Sequence, residues 1–175
     1  MLGLIIPSDL KWPGNISYIV SRAMDKMWIL RRMRKMQFDV NFIFEVYTKE
    51  IRPILEYAVP VWHSGLTKEE AHQIENVQKC ALKIILCNQY YDYSYACSVF
   101  GIQSLEERRF RLCTKFAVKE YRREGSMFTK YRPKYSLKNY RTKLVDEIFC
   151  NSSRYYNSSL PFLSRLLNSI SNDPS

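Results

Sequence analysis

The sequence has little of what most catalytic and metal centres are built from. Its 175 residues include two histidines, His63 and His72, and five cysteines at 80, 87, 97, 113 and 150, with no C-x-x-C pair among them. Neither a zinc framework nor a disulfide scaffold is indicated, and the thiols are expected to be reduced. The sequons at Asn15, Asn151 and Asn157 then read as chance matches. Five glycines make no phosphate-cradling loop. The aspartates at 9, 25, 39, 92, 146 and 173 are scattered, with no two adjacent or one residue apart. The close carboxylates that two-metal nucleotidyl transfer requires are therefore missing, and with them any expected metal or cofactor. A cysteine–histidine nucleophile finds no local support, and Trp62 beside His63 reads as a core aromatic next to a satisfied histidine. No apolar run approaches the roughly 20 residues of a membrane span, and no basic segment of signal-peptide type opens the chain. A soluble, intracellular protein with no membrane partner is expected.

What is present is an ordinary globular mixture, 46% hydrophobic and 25% charged, at about one domain's length. Its charge is not ordinary. The formal net charge is +10, and it is unevenly placed. Residues 1–40 carry 7 basic and 3 acidic side chains, residues 41–100 carry 5 and 7, residues 101–143 carry 13 and 4, and residues 144–175 carry 2 and 3. Positive charge interleaved with aromatics, as in Lys130, Tyr131, Arg132, Lys134, Tyr135, Lys138, Tyr140 and Arg141, is the footprint of a polyanion binder.

Periodicity predicts a mainly α fold. Residues 2–6 form a short apolar run that reads as a strand, and no second strand pattern lies downstream to pair with it. From Asn15, taken as an N-cap, Ile16, Ile19, Val20, Ala23, Met27 and Leu30 recur at three and four, which predicts one helix to about Met36. Its last turns hold Arg31, Arg32, Arg34 and Lys35, candidates for nucleic-acid contact that also complement the helix C-terminal partial charge. A second helix is predicted from about Asp39, and it must kink or stop before Pro53. The apolar run continues from Ile54 to Trp62. Thr67 and Glu70 match a capping box, opening a helix that buries Ala71, Ile74, Val77, Ala81, Ile84 and Ile85 and turns Lys79 and Lys83 outward. A short helix from about Tyr93 is expected to end at Gly101.

A further capping box at Ser104 and Glu107 predicts a helix over about residues 104–124. Leu105, Leu112, Cys113, Phe116, Ala117 and Tyr121 mark its core side. Arg108, Arg111, Lys115, Lys119 and Arg122 succeed one another at spacings of three and four, a basic stripe with no acid in it. Like charges at these spacings cost a free helix about 0.2–0.5 kcal/mol per pair, which a phosphate backbone would offset. Beyond Gly125 the chain is basic and aromatic, then rich in Asn and Ser, and an irregular extension is expected, with Leu160, Phe162, Leu163, Leu166 and Leu167 able to dock.

Several strings together resemble the reverse transcriptases of non-LTR retrotransposons. They are LGLIIPSDLKW at 2–12, LEYAVPVW at 55–62, LEERR at 105–109, LCTKFA at 112–117, NSSLPFL at 157–163 and RLLN at 165–168. The resemblance covers almost the whole chain and departs from the family at Pro7 and Asn15, where it usually has Asp and His. It implies the C-terminal part of such an RNA-directed DNA polymerase: a remnant of the palm's primer-grip hairpin at 1–12, a helical thumb-like domain at 13–125 and an extension at 126–175. The family's catalytic Tyr-x-Asp-Asp turn falls before the equivalent of Leu2, so no catalytic residue carries over. The implied function is that of a truncated fragment without polymerase activity, holding RNA, DNA or their hybrid by backbone contacts. A palm-containing chain is a further implied partner. The alternative is a helical protein-interaction module that self-associates or binds another chain through apolar surfaces.

Overall fold

The computed structural model describes residues 3–4, 12–133 and 144–171. The protein is mainly α-helical, and no strand occurs among the described residues. The strand expected at 2–6 falls largely outside them, and Gly3 and Leu4, which fall inside, have no regular structure. The basic and aromatic residues 134–143 lie outside the described residues as well.

The chain divides into two compact units, one of residues 1–58 and 66–108, the other of residues 59–65 and 109–175. The division passes through the long basic helix.

In the first unit, α1 (Pro13–Asp25) begins with Pro at its first position, where a missing N–H costs nothing. Asn15 lies within it and is buried, so the expected N-cap shifts to Trp12. The single helix expected to Met36 is two. The chain turns at Lys26, whose N–H bonds to the Ala23 and Met24 carbonyls, and resumes as α2 (Met27–Lys35). Gln37 closes α2 in the left-handed region at φ 60°, with Phe38 N–H bonded to the Met33 carbonyl at 3.2 Å in a Schellman arrangement. Asp39 then caps α3 (Val40–Val46), accepting from the N–H groups of Asn41 and Phe42.

Pro53 does not stop the chain. A π-helical turn, Tyr47–Ile51, joins α3 to α4 (Arg52–Glu56), and the Arg52 N–H reaches the Tyr47 carbonyl five residues back. The wider turn spares the carbonyl four residues before Pro53 the close approach of its ring.

Around α6 (Lys68–Leu86) the first unit assembles its core, with α1, α2, α3 and α7 (Tyr93–Val99) packed against it. Ile16, Ile19, Met27, Leu30, Ile43, Ile74, Ala81 and Ile85 are all buried. Both hydrogen bonds of the Thr67–Glu70 capping box are present. Leu82, Leu86 and Ala96 form a satellite cluster with Phe44 and Phe100, whose rings stack at 4.1 Å. Gly101 ends α7 at φ 59°, with the Ile102 N–H bonded to the Cys97 carbonyl.

The second unit holds α5 (Val59–Trp62), most of α8 (Leu105–Arg122), a 3-10 turn at Thr129–Tyr131, α9 (Ser153–Tyr156) and α10 (Ser159–Ser171). Helix α10 packs on α5, and Trp62, Cys113, Ala117, Phe128, Val145, Leu163 and Leu167 are buried. The C-terminal leucines expected to dock are thus part of a core, and Asn168 ties α10 to the preceding loop by bonding both the N–H and the carbonyl of Val145.

Candidate nucleic-acid interface

The start of α8 is fixed from another helix. Ser104 Oγ accepts from the Glu107 N–H at 3.2 Å, and the Glu75 carboxylate of α6 accepts from the N–H groups of Leu105 and Glu106 at 3.0 and 3.1 Å. Glu75 also accepts from the Tyr93 hydroxyl. An anion at this end meets the positive end of the helix dipole as well as its unpaired donors. Burial, together with that carboxylate, pushes the Tyr93 hydroxyl far above its usual range.

Along α8 the buried positions are Leu105, Arg109, Cys113 and Ala117, a ridge at spacing four. Arg109, 1% exposed, stands where its residue type would suggest a surface cation. Burial pushes the Cys113 thiol up to about 12, and the neighbouring Arg109 charge opposes that rise. Burial and the same guanidinium push His63 down to about 4.

Opposite that ridge, Arg111, Lys115, Lys119 and Arg122 are exposed. At 100° per residue they fall within an arc of about 80°, along about 16 Å of helix. None of the ion pairs among the described residues involves any of the four. Arg108, expected as the fifth member, is withdrawn from the stripe. It donates from Nε and Nη2 to the two oxygens of Glu56, the latter at 3.0 Å, and Arg52 lies 3.3 Å from the same carboxylate. This two-pronged, half-buried pair raises the Arg108 pKa further and leaves it no role as an open phosphate contact. The row outside the ion pairs is therefore Arg111, Lys115, Lys119 and Arg122, and Arg108 leaves it through a carboxylate of α4. An open depression at the far end of the stripe is lined by Phe116, Lys119, Glu120, Arg122 and Arg123. Arg123, which the helical spacing of the stripe does not single out, pairs with Glu120 at 3.7 Å.

No protein-family model, curated protein or solved structure matches the chain. The candidate interface rests on its own geometry.

The remaining candidates belong to the first unit. On α2, Arg31, Arg32 and Lys35 are exposed, and Arg34 is half-buried. Lys79 and Lys83 do extend from α6, but over tyrosine rings, with the ammonium of Lys79 5.3 Å from the Tyr93 centroid and that of Lys83 5.5 Å from that of Tyr90. Lys79 is half-buried there, while Lys83 stays exposed. No group of three or more His, Cys, Asp or Glu side chains suited to a metal occurs among the described residues. Among them, too, no helix is long and apolar enough to cross a membrane.

Proposed function

We propose that this chain binds the sugar-phosphate backbone of RNA, DNA or an RNA/DNA hybrid without reading sequence, as the thumb of a non-LTR reverse transcriptase is expected to do, and carries no polymerase chemistry of its own. The observation that supports this reading is the row of Arg111, Lys115, Lys119 and Arg122 on the outward face of α8, exposed and outside every ion pair among the described residues. A single-sign row costs the helix repulsion that mixed surfaces avoid, and a polyanion relieves it. Each cation that meets a phosphate displaces condensed counterions, so affinity falls with salt.

The test is fluorescence anisotropy with labelled duplexes of two unrelated sequences across a salt series. Equal affinities for both sequences and a steep logarithmic salt slope are expected. Binding that ignores salt would instead favour the protein-interaction module. A primer-extension assay on the same preparation is expected to give no incorporation above background.

A further inference from the structure

Helix α2 presents a second surface of different composition. Of its nine residues, the exposed ones are Trp28, Arg31, Arg32 and Lys35. At 100° per residue these four share an arc of about 100°, over about 10 Å of helix. The inward face is fully used, since Met27 and Leu30 are both 0% exposed. Trp28 is 58% exposed, whereas Trp12 and Trp62 are 7% and 0% exposed.

A large exposed indole is an unusual use of a residue that contributes so much when buried. Its surroundings are unusual too. Elsewhere cations cover aromatic rings: Arg22 lies over Tyr18, Lys79 over Tyr93, Lys83 over Tyr90, Lys130 over Tyr131, Arg132 over Tyr121 and Arg165 over Tyr156. Trp28 has arginines three and four residues along the same helix, and none of the cation–π contacts among the described residues uses its ring. An open aromatic face flanked by three exposed cations matches the combination that holds unpaired nucleotides, in which bases stack on aromatic side chains while cations track the backbone.

We infer that α2 is a docking site for single-stranded nucleic acid, with one unpaired base stacked on Trp28 and the adjoining phosphates on Arg31, Arg32 and Lys35. The ligand is single-stranded because a paired base is covered on both faces by its neighbours and has none to offer the indole. An anionic lipid surface fits less well. Helices that lie in a membrane interface need a broad apolar face to bury there, and the apolar face of α2 is already buried in the protein. This inference shares a polyanionic ligand with the reading of α8 but rests on different residues in the other unit, so each can fail alone.

The experiment is a fluorescence titration of the intact chain, with excitation of its three tryptophans, using a single-stranded 12-mer and the corresponding duplex. Because Trp28 is the exposed indole, quenching by the single strand reports on it directly. The single strand is expected to quench with the same midpoint as its anisotropy change. Trp28→Ala should weaken single-strand binding about 5- to 150-fold while leaving duplex affinity within about twofold, and Trp28→Phe should retain most of it. Unchanged far-ultraviolet circular dichroism will show that both variants fold. Single-strand binding without quenching, or equal losses on both ligands in Trp28→Ala, overturns the inference. So does a blue shift with phosphatidylserine-containing vesicles and none with the 12-mer. If duplex binding keeps its salt slope while Trp28 stays unquenched, α2 alone is refuted. If Arg111→Gln/Lys115→Gln leaves duplex binding intact while the single strand still quenches, α2 stands and the α8 reading falls.

Discussion

If the α8 row binds a polyanion, neutralising two of its adjacent cations should have opposite consequences for binding and for stability. Arg111 and Lys115 are exposed on the outward face, and glutamine keeps the helix propensity of either residue. If all four cations contact phosphates, the logarithmic salt slope on a duplex is about −3.6, and affinity falls roughly 150-fold between 50 and 200 mM salt. In Arg111→Gln/Lys115→Gln the slope becomes about −1.8 and the fall about 12-fold, with affinity at 0.1 M down by about 60-fold. The same change removes the like-charge pairs Arg111–Lys115 and Lys115–Lys119 and the opposite-charge pair Glu107–Arg111, leaving a net gain of about 0.2–0.5 kcal/mol. The variant is therefore expected to melt about 0.5–2 °C higher while binding less tightly. Anisotropy across a salt series and differential scanning calorimetry on one preparation read both effects. A salt slope unchanged within error would refute the role of the row, and a lowered melting temperature would refute the claim that its charges repel.

Other outcomes depend on single features. Gln37 occupies a left-handed position that glycine fills at Gly101, so Gln37→Gly should add about 1 kcal/mol in urea denaturation and Gly101→Ala should remove a similar amount; the reverse order would overturn the capping argument. A Cβ at Gly101 meets nothing within 4 Å, which leaves backbone conformation as the cause. His63 titrates near 4 when folded, below its ordinary 6.5, so the unfolded chain binds more protons between those values. Stability should fall as pH drops from about 6.5 to 4, by roughly 2 kcal/mol after allowance for partial exposure, and His63→Gln should flatten that window. Replacing Glu75 by Gln weakens the acceptor for two backbone donors of α8 and the Tyr93 hydroxyl. A loss of about 1–3 kcal/mol is expected, with faster amide exchange at Leu105 and Glu106 as the local signature.

What could be read from the sequence was what nearby residues decide. Thr67 and Glu70 sit three apart and cap each other, Gly101 supplies the left-handed turn that ends α7, and the stripe from Arg111 to Arg122 comes from helical period alone. The misses all depend on distant chain or on departures from regular geometry. Arg108 is neutralised by Glu56, 52 residues away, and no spacing on α8 shows that. Arg109 is buried in the line of Leu105 and Cys113 although its residue type marks it for the surface. The turn at Lys26 has neither Pro nor Gly to announce it, and the stripe of Ile16, Ile19, Ala23, Met27 and Leu30 runs through it without a break because both helices face the same core.

The π turn at Tyr47–Ile51 makes this stretch of chain unequally tolerant of change in length. Losing one residue there would force the backbone to tighten into a continuous α-helix against the ring of Pro53, and everything downstream would swing by about 100°. Ile54 and Leu55 would be carried away from the interior and the Glu56 carboxylate away from Arg108. Deletions in this segment should therefore be damaging even where a neighbouring substitution is silent. A scan of one-residue deletions from 44 to 56, scored by soluble yield, would locate the part of the chain whose length is fixed by its neighbours.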